Sequence, residues 1–180
     1  YNLTYNEFSD ILTSTNLNTG TDTFTYDIPN RIITKTDNAG IIHTAQLDLL
    51  NRPLSIDSSG MQKTFVYDTN YIGKLTSAQN GNTSVTYTYN NKGQPLTKNQ
   101  TINGITKIIG YEYNTIGQLV KMTYPSGLEI NYSYTNGLVS NISTSSLGNI
   151  IQSITYQPMT FTPLTWTWGN NLNRSKSFDT

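Results

Sequence analysis

The chain has 180 residues, no cysteine, and 11 basic against 11 acidic residues. Balanced charge argues against a nucleic-acid or membrane-surface role, since both use surplus Lys and Arg to neutralise phosphates. Zero cysteine excludes a disulfide scaffold and any thiolate zinc site, and no apolar run approaches the roughly 18 residues of a membrane-spanning helix.

Polar uncharged residues dominate, with 29 Thr, 16 Ser and 22 Asn beside 13 Tyr. Thr and Tyr favour pleated half-buried surfaces, whereas Asn and Gly favour corners, so many short strands are expected. Position 1 is a tyrosine, and no basic and apolar leader follows it, so the chain reads as a segment of something longer.

In chain order, one position recurs: Tyr5, Tyr26, Leu47, Tyr67, Tyr89, Tyr113, Tyr134, Tyr156 and Phe178, at gaps of 20 to 24 residues. After each of the first eight of these keys comes a glycine, at Gly20, Gly40, Gly60, Gly81, Gly104, Gly127, Gly148 and Gly169. Gly73, Gly93, Gly117 and Gly137 follow their keys more closely, and only Gly110 falls at neither phase. Two phases of glycine in one period mark two chain reversals per repeat, so each unit is strand, corner, strand, corner.

The first corner has its own chemistry. Asp27, Asp48, Asp68, Asn90, Asn114 or Asp179 follows the key, which suits the first position of a turn. Asn30, Asn51, Gly93 or Gly117 stands three places on, where a left-handed residue is expected. Asp68–Gly73 carries two extra residues, Asn136-Gly137 is a tight corner, and 157–160 has no glycine. Tyr71 is expected to project from one edge.

Before the corner, pairs two residues apart, such as Phe24 with Tyr26, Tyr111 with Tyr113 and Tyr132 with Tyr134, share one face of their strand. Stacked in successive hairpins, they would form an aromatic ladder. Helical spacing of three and four is absent, and no domain boundary is evident, so residues 1–180 are expected to be one array.

Tyr-Asp, a few residues, Gly-Arg-Leu and a closing glycine, about 21 residues apart, resembles the YD repeat of bacterial Rhs proteins and animal teneurins. The match is best at Tyr26-Asp27 to Arg31-Ile32, Tyr89 to Leu96 and Tyr113 to Leu119. The resemblance spans essentially the whole chain. It implies an all-β fold of tandem β-hairpins in one continuous curved or spiral antiparallel sheet, part of a hollow shell around a toxin or effector domain. β-Propeller-like blades of two repeats are the alternative.

Two strands in each of eight repeats give about sixteen, a ribbon of roughly 77 Å at ~4.8 Å per strand. That is part of a wall around a small domain. Family shells often release their cargo by aspartyl self-proteolysis near Asp-Pro elements; no Asp-Pro dipeptide occurs here, so no protease residues are assigned.

The expected function is a structural, non-enzymatic shell segment with no cofactor or metal, secreted or at the surface of a bacterial cell. Its partners would be the remainder of its own shell and the enclosed toxin or effector. A carbohydrate-binding or adhesive module is the alternative, with Tyr71, Trp166 and Trp168 as possible sugar-stacking residues.

His43, the sole histidine, could serve as a general base or metal ligand. With no cysteine or second histidine to partner it, the strand reading is preferred. No Ser/His/Asp spacing stands out among so many serines. The corner acids Asp27, Asp48, Asp68 and Asp179 come one to a repeat, too sparse for calcium, and read as turn caps.

Overall fold

Alternation of Thr and Tyr with small polar residues gives strands, and the Asx and Gly positions reverse them. The computed structural model describes residues 1–177, so the ninth key Phe178 and the corner acid Asp179 lie outside the described residues. All 17 strands belong to one antiparallel sheet, with no helix among the described residues. One sheet of 17 strands is not the set of separate four-stranded sheets a propeller requires.

The described chain divides into two compact units, Tyr1–Tyr87 with Gln100–Thr106, and Thr88–Asn99 with Lys107 onward. The first contains β1 (Asn2–Tyr5), β2 (Ile11–Asn16), β3 (Gly20–Asp27), β4 (Ile32–Thr36), β5 (Ile42–Leu47), β6 (Pro53–Ser58), β7 (Met61–Tyr67) and β8 (Leu75–Asn80). β9 (Thr83–Tyr89), β10 (Pro95–Ile102) and β11 (Ile105–Tyr113) each contribute residues to both units. The second continues with β12 (Leu119–Thr123), β13 (Glu129–Thr135), β14 (Leu138–Thr144), β15 (Gly148–Tyr156), β16 (Pro163–Trp168) and β17 (Asn173–Ser175).

Within each unit the sheet has two unlike faces. In the first, the register sets Tyr26 against Ile33, Ile33 against Ala45 and Ala45 against Ile56 on one face. The other carries Thr13 against Thr23, Thr25 against Thr34 and Thr34 against Thr44. In the second unit Tyr132, Ile142, Ile151 and Trp168 form an apolar row, while Glu112, Lys121, Asn131 and Ser143 line the reverse.

No hydrophobic side chain is buried among the described residues, and the one buried polar residue is Thr144, 8% exposed. The chain exposes 12193 Å², against about 8700 Å² for a globular monomer of its mass. The surplus is sheet face with no second layer over it. Cross-strand pairs and corners therefore carry the stability that a core carries elsewhere.

The keys mark a feature their spacing does not announce. The register shifts immediately before Tyr5, Leu47, Tyr67, Tyr113, Tyr134 and Tyr156, a bulge at each. The extra residue lies on the partner strand, as Leu12 does opposite Tyr5 and Val120 opposite Tyr113, and it increases the local twist beside the key. At Tyr26, by contrast, β3 and β4 pair regularly through Asp27 and Ile32.

Candidate functional site: the row of corners

The recurring constellation is the first corner, and Asn114–Gln118 shows how it is built. The Asn114 amide N–H donates to the Gln118 carbonyl at 2.9 Å, and the Gly117 N–H donates back to the Asn114 carbonyl at 3.0 Å. Asn114 Oδ1 accepts the Gln118 N–H at 2.8 Å, while its Nδ2 donates to Gln118 Oε1 at 2.8 Å. Gly117 sits at φ +91°, where a side chain is strained, and a Cβ there would stand 3.3 Å from Gln94 Nε2.

The same design recurs with different side chains. Asn90 Oδ1 accepts from the Lys92 and Gln94 N–H groups at 2.9 and 3.0 Å, with Gly93 left-handed at φ 73°. Asp48 Oδ1 accepts from Leu50 and Arg52 at 2.8 and 2.9 Å, with Asn51 at φ 59°. Asn6 and Asp37 cap two further corners identically, each accepting two N–H groups at 2.9 Å.

The fifth residue of the corner reaches to the next repeat. Gln94 Nε2 donates to the Gly117 carbonyl at 2.7 Å, and Gln118 Nε2 to the Gly137 carbonyl at 3.1 Å. Arg52 does this with charge: Nε meets Asp48 Oδ2 at 2.7 Å, and the two terminal nitrogens meet the Asp68 oxygens at 3.1 and 2.6 Å. Its guanidinium lies 4.3 Å from the centre of the Tyr67 ring. The Arg52 N–H, then its side chain, hold Asp48 below the ordinary carboxylate range; Arg52, then the Gly73 N–H, do so for Asp68.

The tyrosine keys stitch from below. Tyr26 Oη donates to the Ile11 carbonyl at 2.9 Å, Tyr134 to Leu119 at 2.7 Å and Tyr156 to Val139 at 2.8 Å. Each hydroxyl thus reaches the carbonyl of a residue 15 to 17 positions earlier. Burial raises the Tyr26, Tyr67, Tyr113 and Tyr134 phenols above their ordinary pKa.

Several expectations are corrected. At the Asp27 corner the left-handed residue is Arg31, φ 54°, not Asn30, because Asp27 accepts the Asn30 N–H at 3.2 Å and Pro29 offers no donor. In the lengthened corner Asp68 itself is left-handed, φ 66°, and accepts the Gly73 N–H at 2.6 Å. Gly169 has no positive φ; it is glycine because a Cβ would collide with the Asn149 carbonyl.

Of the possible sugar-stacking residues, Tyr71 and Trp166 are half-buried and only Trp168, 40% exposed, is open. Trp166 and Trp168 meet edge to face, centroids 5.9 Å apart at 81°, and Lys176 Nζ lies 5.6 Å from the Trp166 ring centre. They line an apolar groove of about 370 Å³ with Ile151, Ile154 and Tyr156. A T-shaped pair with a cation over one ring does not present a flat stacking platform.

Sequence reasoning missed the surroundings of His43. Its Nδ1 is hydrogen-bonded to Ser58 Oγ, and its Nε2 lies 3.3 Å from Asp37 Oδ2. The signal is the strand register, which pairs His43 with Ser58 across a hairpin. Among the described residues no three acidic or imidazole side chains converge as a metal site.

Among solved structures the chain shares the Rhs/YD-repeat fold with Tc toxin complexes. The chain superimposes on the TcdB2–TccC3 crystal structure with TM-score 0.81 and 16% identity, covering 96% of this chain and 10% of that one. The TcdB2–TccC3–Cdc42 crystal structure gives TM-score 0.80, with the same identity and coverage. The Photorhabdus luminescens Tc holotoxin pore gives 0.78, again with 16% identity, 96% of this chain and 10% of that one. The chain thus spans about a tenth of the length of the chains it matches. No family model matches it, and no curated protein does.

Proposed function

We propose that this chain is a wall segment of a Rhs/YD-repeat shell that encloses or presents a toxin or effector domain, secreted from or displayed on a bacterial cell. The observation that carries this reading is the sheet in which no hydrophobic side chain of the described residues is buried, and whose repeats are tied by their own corners. Such a sheet grows by adding hairpins and needs no core, which is what a wall requires. The wall role itself is non-enzymatic and uses no cofactor.

In this reading residues 1–180 are one stretch of a longer repeat array. The keys Tyr5 to Tyr156, with Phe178, set its period, and Asp27, Asp48, Asp68, Gly93 and Gly117 set its corners. Its partners are the rest of its own shell and the enclosed domain. The edge-to-face arrangement of Trp166 and Trp168 favours packing over sugar binding.

Limited proteolysis of the full-length protein tests this. The enclosed domain is expected to resist protease until the shell is unfolded. A domain cut as fast within the full-length protein as when expressed alone would overturn the reading.

A further inference from the structure

We propose that Ser58, His43 and Asp37 form a serine-nucleophile centre that is acylated by, and hydrolyses, small acyl esters. This goes beyond the wall reading and does not depend on it. Three elements bring the residues together: Asp37 follows β4, His43 lies on β5, and Ser58 ends β6 directly opposite His43.

The Asp37 corner differs from the Asp48, Asn90 and Asn114 corners where it matters. In those three the second side-chain atom of the capping residue is taken by the fifth residue of its own corner: Asp48 Oδ2 by Arg52 at 2.7 Å, Asn90 Nδ2 by Gln94 at 3.0 Å and Asn114 Nδ2 by Gln118 at 2.8 Å. The fifth residue here is Ile41, which has no polar side chain. Asp37 Oδ1 is held by the Ala39 and Ile41 N–H groups, and Oδ2 is left for the imidazole. The Ile41 N–H above all, with the His43 hydrogen bond, keeps the Asp37 carboxyl below its ordinary range, so it is an anion that only accepts.

An accepting carboxylate at Nε2 places the imidazole proton there and leaves the Nδ1 lone pair for the Ser58 hydroxyl. Ser58 Oγ is then a hydroxyl hydrogen-bonded to a base whose orientation a third group fixes. Asp37 is a positioning residue; Ser58 and His43 meet the substrate. Ser59 at φ 54° and Gly60 at φ 80° make the tight turn beside the hydroxyl, and both are exposed. An open position on a hairpin suits a small ester.

The chemistry balances with water alone. Ser58 Oγ bonds to the acyl carbon as its proton passes to His43 Nδ1, and the ester C–O bond breaks with that proton going to the leaving alcohol. Water then attacks the acyl-serine, losing a proton to His43, and the acid departs as Ser58 regains its hydrogen.

The test uses the 180-residue chain with a fluorophosphonate probe and p-nitrophenyl acetate. The probe bonds its phosphorus to Ser58 Oγ and releases fluoride with the proton carried by His43. Peptide mass spectrometry is expected to place the label on Ser58 in preference to the other serines. Ser58→Ala should abolish labelling and hydrolysis, and His43→Gln should slow labelling about 100-fold or more. Asp37→Asn should lower the maximal labelling rate about tenfold while the half-saturating probe concentration holds, a split that a purely structural role would not give. Urea-unfolded wild-type protein serves as a second comparison and should lose the preference for Ser58. Random labelling of serines in the folded chain, or a wild-type rate in folded His43→Gln, overturns the proposal.

Discussion

Replacing Asn114 with alanine tests whether the corners hold the sheet together. The substitution removes two side-chain hydrogen bonds of 2.8 Å, one from the Gln118 N–H and one to Gln118 Oε1. At about 0.5–1.5 kcal/mol net for each bond, the cost is about 1–3 kcal/mol. For a chain of this size that lowers the thermal midpoint by roughly 4–8 °C, taking a loss near 2 kcal/mol. Asn114→Asp keeps the acceptor for the Gln118 N–H but not the amide donor, so about half the loss is expected. Gly117→Ala should cost about as much as Asn114→Ala, since a left-handed alanine is penalised by about 1–2 kcal/mol before any contact with Gln94. Thermal melts followed by far-ultraviolet circular dichroism measure all three, with exposed Asn91→Ala as the control, expected within about 0.5 kcal/mol of wild type. A melt of Asn114→Ala that superimposes on that of Asn91→Ala would refute the corner argument.

Other outcomes follow from the same geometry. Tyr134→Phe deletes the 2.7 Å hydrogen bond to the Leu119 carbonyl and should cost about 1 kcal/mol in urea denaturation. Asp37, Asp48 and Asp68 all have folded pKa values below their unfolded ones. Their contribution is present in full above about pH 4 and is lost as pH falls through the folded values. The thermal midpoint should therefore drop on acidification, and the double variant Asp48→Asn with Asp68→Asn should flatten that dependence. β1 and β17 each pair on one side only among the described strand pairs. Unpaired edges recruit further strands, so light scattering of the 180-residue chain should show concentration-dependent association.

How much of this was legible depended on whether a feature repeats. Tyr113 and Gly117 could be read because their counterparts recur in phase, and the 17 strands among the described residues match the expected sixteen closely. The faces were legible too, since Phe24 and Tyr26 are half-buried while Thr23 and Thr25 between and beside them are exposed. What escaped was whatever a single repeat does alone. Pro29 removes one donor, and the left-handed position moves from Asn30 to Arg31. Arg52 replaces a glutamine, and a neutral link between repeats becomes a charged clamp to Asp68. Asp37 caps a second corner whose fifth residue, Ile41, has no polar side chain, and its free oxygen finds His43, whose own partner Ser58 is fixed only by the pairing of β5 with β6. In a sheet with no core, the periodic residues define the wall, and the departures from period are where an individual repeat can acquire chemistry of its own.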